Sequence, residues 1–302
     1  MRRAASIVCL TLLIAAATAV AQVPAPPQVA VSPSRFEIAL DDPATTHALK
    51  LMNMSRNEFT ARVRVAEWVL DEANRVVEVE PGEASLMRWI VINPQRFTVP
   101  AGETQTVRFS IRPRSAPAPG EHRAMIYLEE LPRREPGKAV TVAFNIGVAV
   151  YAYAGEVTRS GTLHGVRVER LGDEPVGLLD IASTGTAHVR LDGRYTIWKA
   201  GTVPGGEPAA RLAAAEGELP AGAVAAGSLP TTPVLPGTRR TIPLPLGHGL
   251  EAGQYVLVVA GGLGNGQFDG EAAFAVEPPP TPTAAPAATP GPAPLPTEVP
   301  GT

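Results

Sequence analysis

Apolar residues recur at every second position in one short run after another along this chain, and the longest such run is Lys138–Ala154. Its large apolar residues are Val140, Val142, Phe144, Ile146, Val148 and Val150, separated by Thr141, Ala143, Asn145, Gly147 and Ala149. A period of two places one set on a single face of a β-strand, because successive side chains point to opposite sides of the pleat. At about 3.3 Å per residue the run would reach roughly 50 Å, far longer than the usual strand of about five or six residues. A run of this length bends between two sheets, is split by a bulge, or keeps part of itself open for the β-sheet of another chain.

Shorter alternating runs precede it at Arg35–Leu40, His47–Met52, Thr60–Leu70, Arg88–Ile92, Thr104–Ile111 and Ala124–Leu128. Turn formers lie between them, among them Asp41-Asp42-Pro43, Asn53–Asn57, Pro81-Gly82 and Pro100-Ala101-Gly102. Turn signals about a dozen residues apart, with no long 3.6-period segment, predict an antiparallel sandwich of about seven strands over 31–154. Trp68 falls in mid-strand as a core aromatic. A second block, 155–276, is richer in Gly and Ala. Gly177–Ser183, Ala187–Leu191, Arg194–Lys199, Thr238–Leu246, Gln254–Ala260 and Gln267–Val276 read as its strands, with a hairpin turn at Asn265-Gly266. The fold class is therefore all-β, two immunoglobulin-like sandwiches in tandem. The stretch Gly201–Gly237 is long for a connection and holds either a short helix at Ala209–Glu216 or a loop.

The ends of the chain read differently. Arg2 and Arg3 precede an apolar stretch, Ala4–Val20, and Ala19-Val20-Ala21 fits the small-x-small rule, which predicts export and cleavage before Gln22. Residues 22–30 are a proline-rich lead-in. Glu277–Thr302 carries ten prolines in 26 residues and no aromatic, a composition for an extended tail outside either core. The single cysteine, Cys9, lies in the export segment, so the processed chain has no thiol for a disulfide or a zinc site. Loss of Arg2 and Arg3 takes the formal net charge from −3 to −5. No basic block or aromatic-basic stripe suits nucleic acid, and no second apolar run is long enough to span a bilayer.

Candidate chemistry is sparse. The histidines (His47, His122, His164, His188 and His248) show no i, i+4 pair, and no serine sits in a Gly-x-Ser-x-Gly elbow. Gly261–Gly270 lacks the spacing and the following helix of a phosphate loop. Glu129 and Glu130 are adjacent on a strand and face opposite ways. Neither a catalytic residue nor a metal or cofactor is expected.

One ordered set of residues does carry a resemblance. Ser32-Pro33…Arg35, Leu51…Asn53, Glu67-Trp68, Pro94-Gln95-Arg96-Phe97, Ala101-Gly102-Glu103, Val107-Arg108, Gly120-Glu121-His122-Arg123 and Glu129-Glu130-Leu131-Pro132 precede the long alternating strand. This order resembles the N-terminal domain of the periplasmic pilus-assembly chaperones of the chaperone–usher pathway, over most of 31–153. The resemblance implies a domain that lends a strand to an incomplete pilin fold. It makes Val140, Val142, Phe144 and Ile146 the groove-filling residues and Arg35 the cleft cation that meets the pilin's C-terminal carboxylate. A second cation is a lysine in that family; Ala149, or Gly147 in a shifted register, stands there in this chain. Glu121 matches the acidic member of an inter-domain salt bridge, whose arginine partner falls at Tyr153. Loss of one buried charge-assisted contact costs on the order of 1.5–3 kcal/mol, so the chain reads as a divergent member. The second block resembles a generic bacterial extracytoplasmic immunoglobulin-like domain.

The leading expectation is a periplasmic chaperone-like protein that binds pilin-like or other β-rich subunits by strand addition, with an outer-membrane usher as a further partner. The alternative is a structural or adhesive extracytoplasmic protein on a proline-rich stalk, in which the long strand is paired within its own domain.

Overall fold

The computed structural model describes residues 28–41, 45–131, 143–172, 174–207, 212, 219–247 and 249–278. The expected export segment, Val140, Val142, His248, the helix proposed at 209–216 (Leu212 excepted) and the tail beyond 278 lie outside these residues.

The first sandwich is built from β1 (Val29–Ser32), β2 (Arg35–Ala39), β3 (His47–Asn53), β4 (Phe59–Leu70), β5 (Val76–Val79), β6 (Ile90–Asn93), β7 (Arg96–Val99), β8 (Thr104–Ile111), β9 (Gly120–Leu131) and β10 (Asn145–Ala154). One sheet has the order β1-β3-β8-β6; the other has β2-β10-β9-β4-β5, with β7 also pairing β4. The chain enters by running β1 antiparallel to β3, then crosses at Pro33 and Ser34 to run β2 parallel to β10 in the opposite sheet. This first strand divided between both sheets, with the remaining strands in immunoglobulin order, gives the sandwich its class. Pro33 suits the crossing because it has no N–H to offer a ladder.

Alternation turns directly into burial. In β3, Leu49 and Leu51 point inward while Ala48, Lys50 and Met52 point to solvent. Leu49, Leu51, Phe109, Ile126, Leu128, Val148 and Val150 form the centre of the core and are essentially closed to solvent. Each large side chain so buried contributes about 1.5–3 kcal/mol. The run proposed at Arg88–Ile92 opens instead in a 3-10 turn, Leu86–Trp89, capped by Ser85, and becomes a strand only at Ile90. The i, i+3 spacing of Leu86 and Trp89 stacks both on the buried side of that turn.

The second sandwich comprises β11 (Gly161–Leu171), β12 (Glu174–Ser183), β13 (Leu191–Lys199), β14 (Ala223–Ser228), β15 (Arg239–Pro245), β16 (Gly253–Leu263) and β17 (Gly266–Val276). Its sheets are β11-β12-β15 and β14-β13-β16-β17. The long middle connection thus contains a strand, β14, of small residues. The last hairpin lies where Asn265-Gly266 places it, shifted by one residue: Leu263 pairs with Gly266, so Gly264 and Asn265 form the turn. Gly264 takes the first central position with φ of 64°, the left-handed conformation that favours glycine there. Ala187–Leu191 is not a strand of its own. Val189 makes a single bridge to Val234, and β13 begins at Leu191. The alternation in this segment is real, but Val189 and Leu191 enter the second core while Ala187 enters a third cluster between the sandwiches. That third cluster joins Trp68, Leu70, Met125, Tyr151 and Tyr153 of the first sandwich to Ala187 and Leu235 of the second.

Candidate functional site

The long alternating strand is half enclosed. β9 lies along one side of β10 for its whole length, from Asn145 opposite Glu129 to Ala154 opposite Gly120. On the other side β2 covers only Ala149–Tyr153, because the chain has crossed to the opposite sheet upstream of Arg35. Two hydrogen bonds fix which backbone groups face which neighbour. Glu130 N donates to Phe144 O at 3.0 Å, and Leu40 N donates to Tyr153 O at 2.7 Å. Even-numbered residues of β10 therefore bond toward β9 and odd-numbered ones toward β2. Asn145 and Gly147 aim their N–H and C=O groups at a side where no described strand pairs with them.

The apolar face of this strand runs from deep burial to partial exposure. Val150 and Val148 are closed to solvent, whereas Ile146 and Phe144 are half-buried at the end of the sandwich. The Phe144 ring meets Phe59 edge-on at 5.0 Å, so part of its surface is spent inside its own domain.

On the outer face of the same sheet, Arg35 stands opposite Ala149. Its Nε lies 3.2 Å from Glu37 Oε1, and its side chain is 46% exposed. Glu37 also accepts from Tyr153 Oη at 3.1 Å and lies 3.4 Å from the Arg159 guanidinium, which sits over the Tyr153 ring. The two positions where the resemblance expects a lysine are occupied by packing. Ala149 lies against the inter-domain cluster. A Cβ on Gly147 would come within 2.9 Å of Met125 Sδ and 3.3 Å of Tyr127.

Cations instead reach this region from elsewhere. Arg190, between β12 and β13, donates to Tyr151 Oη at 3.0 Å, to Thr231 O, and through Nε to His188 Nε2 at 3.2 Å. No described carboxylate neutralises it. Arg123 donates to Glu121 Oε1 at 3.0 Å. Burial raises the Tyr151 hydroxyl above its ordinary pKa, while Arg190, Arg123 and Arg35 act in the opposite sense. The Glu121 carboxylate adds to the effect of burial, and of the three guanidinium groups only Arg190 touches the phenol.

Glu121 is fully enclosed and bonds across the two sandwiches. Its Oε2 accepts from His188 N at 2.8 Å and lies 2.6 Å from His188 Nδ1. Burial alone would raise the Glu121 carboxyl; the His188 bonds and Arg123 together hold it below the usual carboxylate value. The partner that fails to appear at Tyr153 is therefore replaced by a histidine. Arg240 adds a second link, donating to the carbonyls of Leu70 and Asp71 at the β4–β5 turn, and Asn74 Nδ2 donates to Thr241 O at 2.8 Å. Sequence reasoning singled out Glu121 and Arg35 but missed His188, Arg190, Arg159 and Arg240. The one available signal was the alternation Ala187-His188-Val189-Arg190, which sets His188 and Arg190 on the same side.

Glu129 and Glu130 point apart. Glu129 joins Arg62 and Arg64, and Glu130 meets Phe144 N. The described residues contain no cluster of His, Cys, Asp or Glu fit for a metal ion and no helix long and apolar enough to cross a membrane.

No protein-family model matches the chain, and no curated protein matches it. Solved structures do resemble it. The class 5 fimbriae chaperone CfaA is 10% identical, with 83% of this chain and 99% of that one covered at a TM-score of 0.41. The YadV chaperone is 11% identical, with 82% and 100% covered at 0.41. The SafB chaperone of Salmonella enterica, solved with the SafA pilin, is 14% identical, with 80% and 94% covered at 0.39.

Proposed function

We propose that this protein is an exported, periplasmic chaperone-like binder of pilin-like or other β-rich subunits, acting by strand addition and without enzymatic activity. The observation that carries this reading is the side of β10 at Asn145–Val148 with which no described strand pairs, immediately upstream of the part that β2 occupies. A client strand laid there bonds to Asn145 and Gly147 and continues the line of β2. If it runs parallel to β10, as β2 does, its C-terminal end arrives at Arg35, where a guanidinium can hold a terminal carboxylate. Phe144 and Ile146 then offer their apolar faces to the client's groove, and in the sequence the same alternation takes in Val140 and Val142.

The test uses the absence of thiols from the processed chain. With Ile146→Cys as the sole cysteine, a pilin-like subunit carrying one cysteine in its open groove should form a mixed disulfide during co-expression in the periplasm. Absence of the crosslink at every groove position would overturn the reading. The Phe144 contact with Phe59 favours a structural or adhesive role, in which the edge serves only its own domain; that role predicts no crosslink.

A further inference from the structure

His188 is held by contacts that leave one protonation state. Its ring is almost closed to solvent and lies 4.1 Å from the Tyr151 ring, centroid to centroid. Nδ1 faces the Glu121 carboxylate at 2.6 Å, and Nε2 faces Arg190 Nε at 3.2 Å. A guanidinium has only donors and keeps its proton throughout the accessible range, so the atom that meets it must present a lone pair. The contact therefore requires a neutral ring with its proton on Nδ1, given to Glu121, and a bare Nε2 that accepts from Arg190.

We propose that His188 is a proton-operated pin between the two sandwiches. While the ring is neutral, it fixes Arg190 against Tyr151 Oη and the Thr231 carbonyl, and so holds the second sandwich to the outer face of β10. When a proton arrives on Nε2, two N–H groups face each other and two cations stand side by side. The bond to Glu121 survives, because Nδ1 still donates to a carboxylate that is shared with Arg123. The Arg190 contact does not. Acidification thus releases the arginine and loosens the domain junction without unfolding either core. The groups that face the ring are Glu121 from β9, Tyr151 from β10 and Arg190 from its own segment, with Arg123 acting through Glu121. This inference stands on the junction alone and goes beyond the proposed client binding.

The test follows the ring nitrogens of the full chain by isotope-edited NMR from about pH 8 to about pH 5, the window in which histidine is the usual titrating side chain. In parallel, a dye pair on cysteines introduced at exposed Glu103 and Leu171 reports the separation of the sandwiches. The expected result is an unprotonated Nε2 at the alkaline end. A one-proton transition should then move the Arg190 Nε–H signal and the dye separation with the same midpoint. In His188→Gln, whose amide offers both a donor and an acceptor but does not titrate, the separation should no longer follow pH. A protonated Nε2 at about pH 8, a ring that does not titrate in this window, or a ring that titrates without Arg190 or the separation responding would overturn the proposal. So would a His188→Gln chain that follows pH as the unaltered one does. If His188→Gln does not fold, the ring and arginine signals of the unaltered chain still decide.

Discussion

Arg35 lies directly across from Ala149 in the short parallel pairing of β2 with β10, at the point where that pairing begins and upstream of which no described strand pairs with this edge of β10. Its charge is shared with Glu37 at 3.2 Å and is close to half exposed. An exposed pair of this kind contributes at most about 1 kcal/mol to stability. Arg35→Ala should therefore leave the melting temperature nearly unchanged. It should weaken capture of a free-C-terminus client by about tenfold or more, the worth of a charge-assisted bond, and leave capture of the C-terminally amidated client unaltered. Titration calorimetry with both clients checks this.

Asn145→Pro separates the strand's own ladder from the donated one. The Asn145 N–H points away from β9, so proline there removes a donor only from the side with which no described strand pairs. Proline is tolerated at such edge positions. The expected outcome is a folded protein with normal circular dichroism whose client affinity falls at least severalfold. Val148→Pro is the control. Its N–H points to β9 and its side chain lies in the core, so it should lower the melting temperature strongly through loss of a ladder bond and of core packing.

Gly193 and Gly261 sit opposite each other in the antiparallel pairing of β13 with β16. A Cβ on Gly193 would fall 2.3 Å from Ala260 O, and one on Gly261 would fall 2.3 Å from Asp192 O. Backbone cannot yield as a side-chain tip does. Either glycine changed to alanine should destabilise the second sandwich by about 1–3 kcal/mol, read as a lower urea midpoint for that sandwich, with the first unaffected.

Glu121 links stability to pH with a definite sign. Its carboxyl is depressed in the folded protein, so it contributes stability above the unfolded carboxylate value of about 4.3, and that contribution is lost as pH falls through the folded value. Glu121→Gln should lower the melting temperature at about pH 7, and the gap from the unaltered protein should shrink toward about pH 3. Differential scanning calorimetry across that range measures it.

Strands with apolar side chains alternating into one core could be read in advance. Thr104–Ile111 has the bounds expected of it because Val107, Phe109 and Ile111 alternate into one core. Five others were hidden: β1 and β7, each only four residues long, and three with reasons of their own. β5 exposes every residue and shows no inside or outside. β11 carries a bulge between Leu163 and Gly165 that shifts the phase of its alternation midway. β14 is almost all small side chains. The domain junction was half legible. Glu121 stood out from its neighbours, but His188 lies 67 residues further on and only the docking of two separately folded sandwiches brings it near.

The second sandwich holds the first at three separated places: Arg240 on the tip of the β4–β5 turn, His188 on Glu121 together with Arg190 on Tyr151, and Arg159 on Glu37 beside β2. Release of Arg190 takes one of the two fastenings from the middle place and leaves the outer places untouched. The freedom gained is a rocking with the His188–Glu121 bond as its pivot.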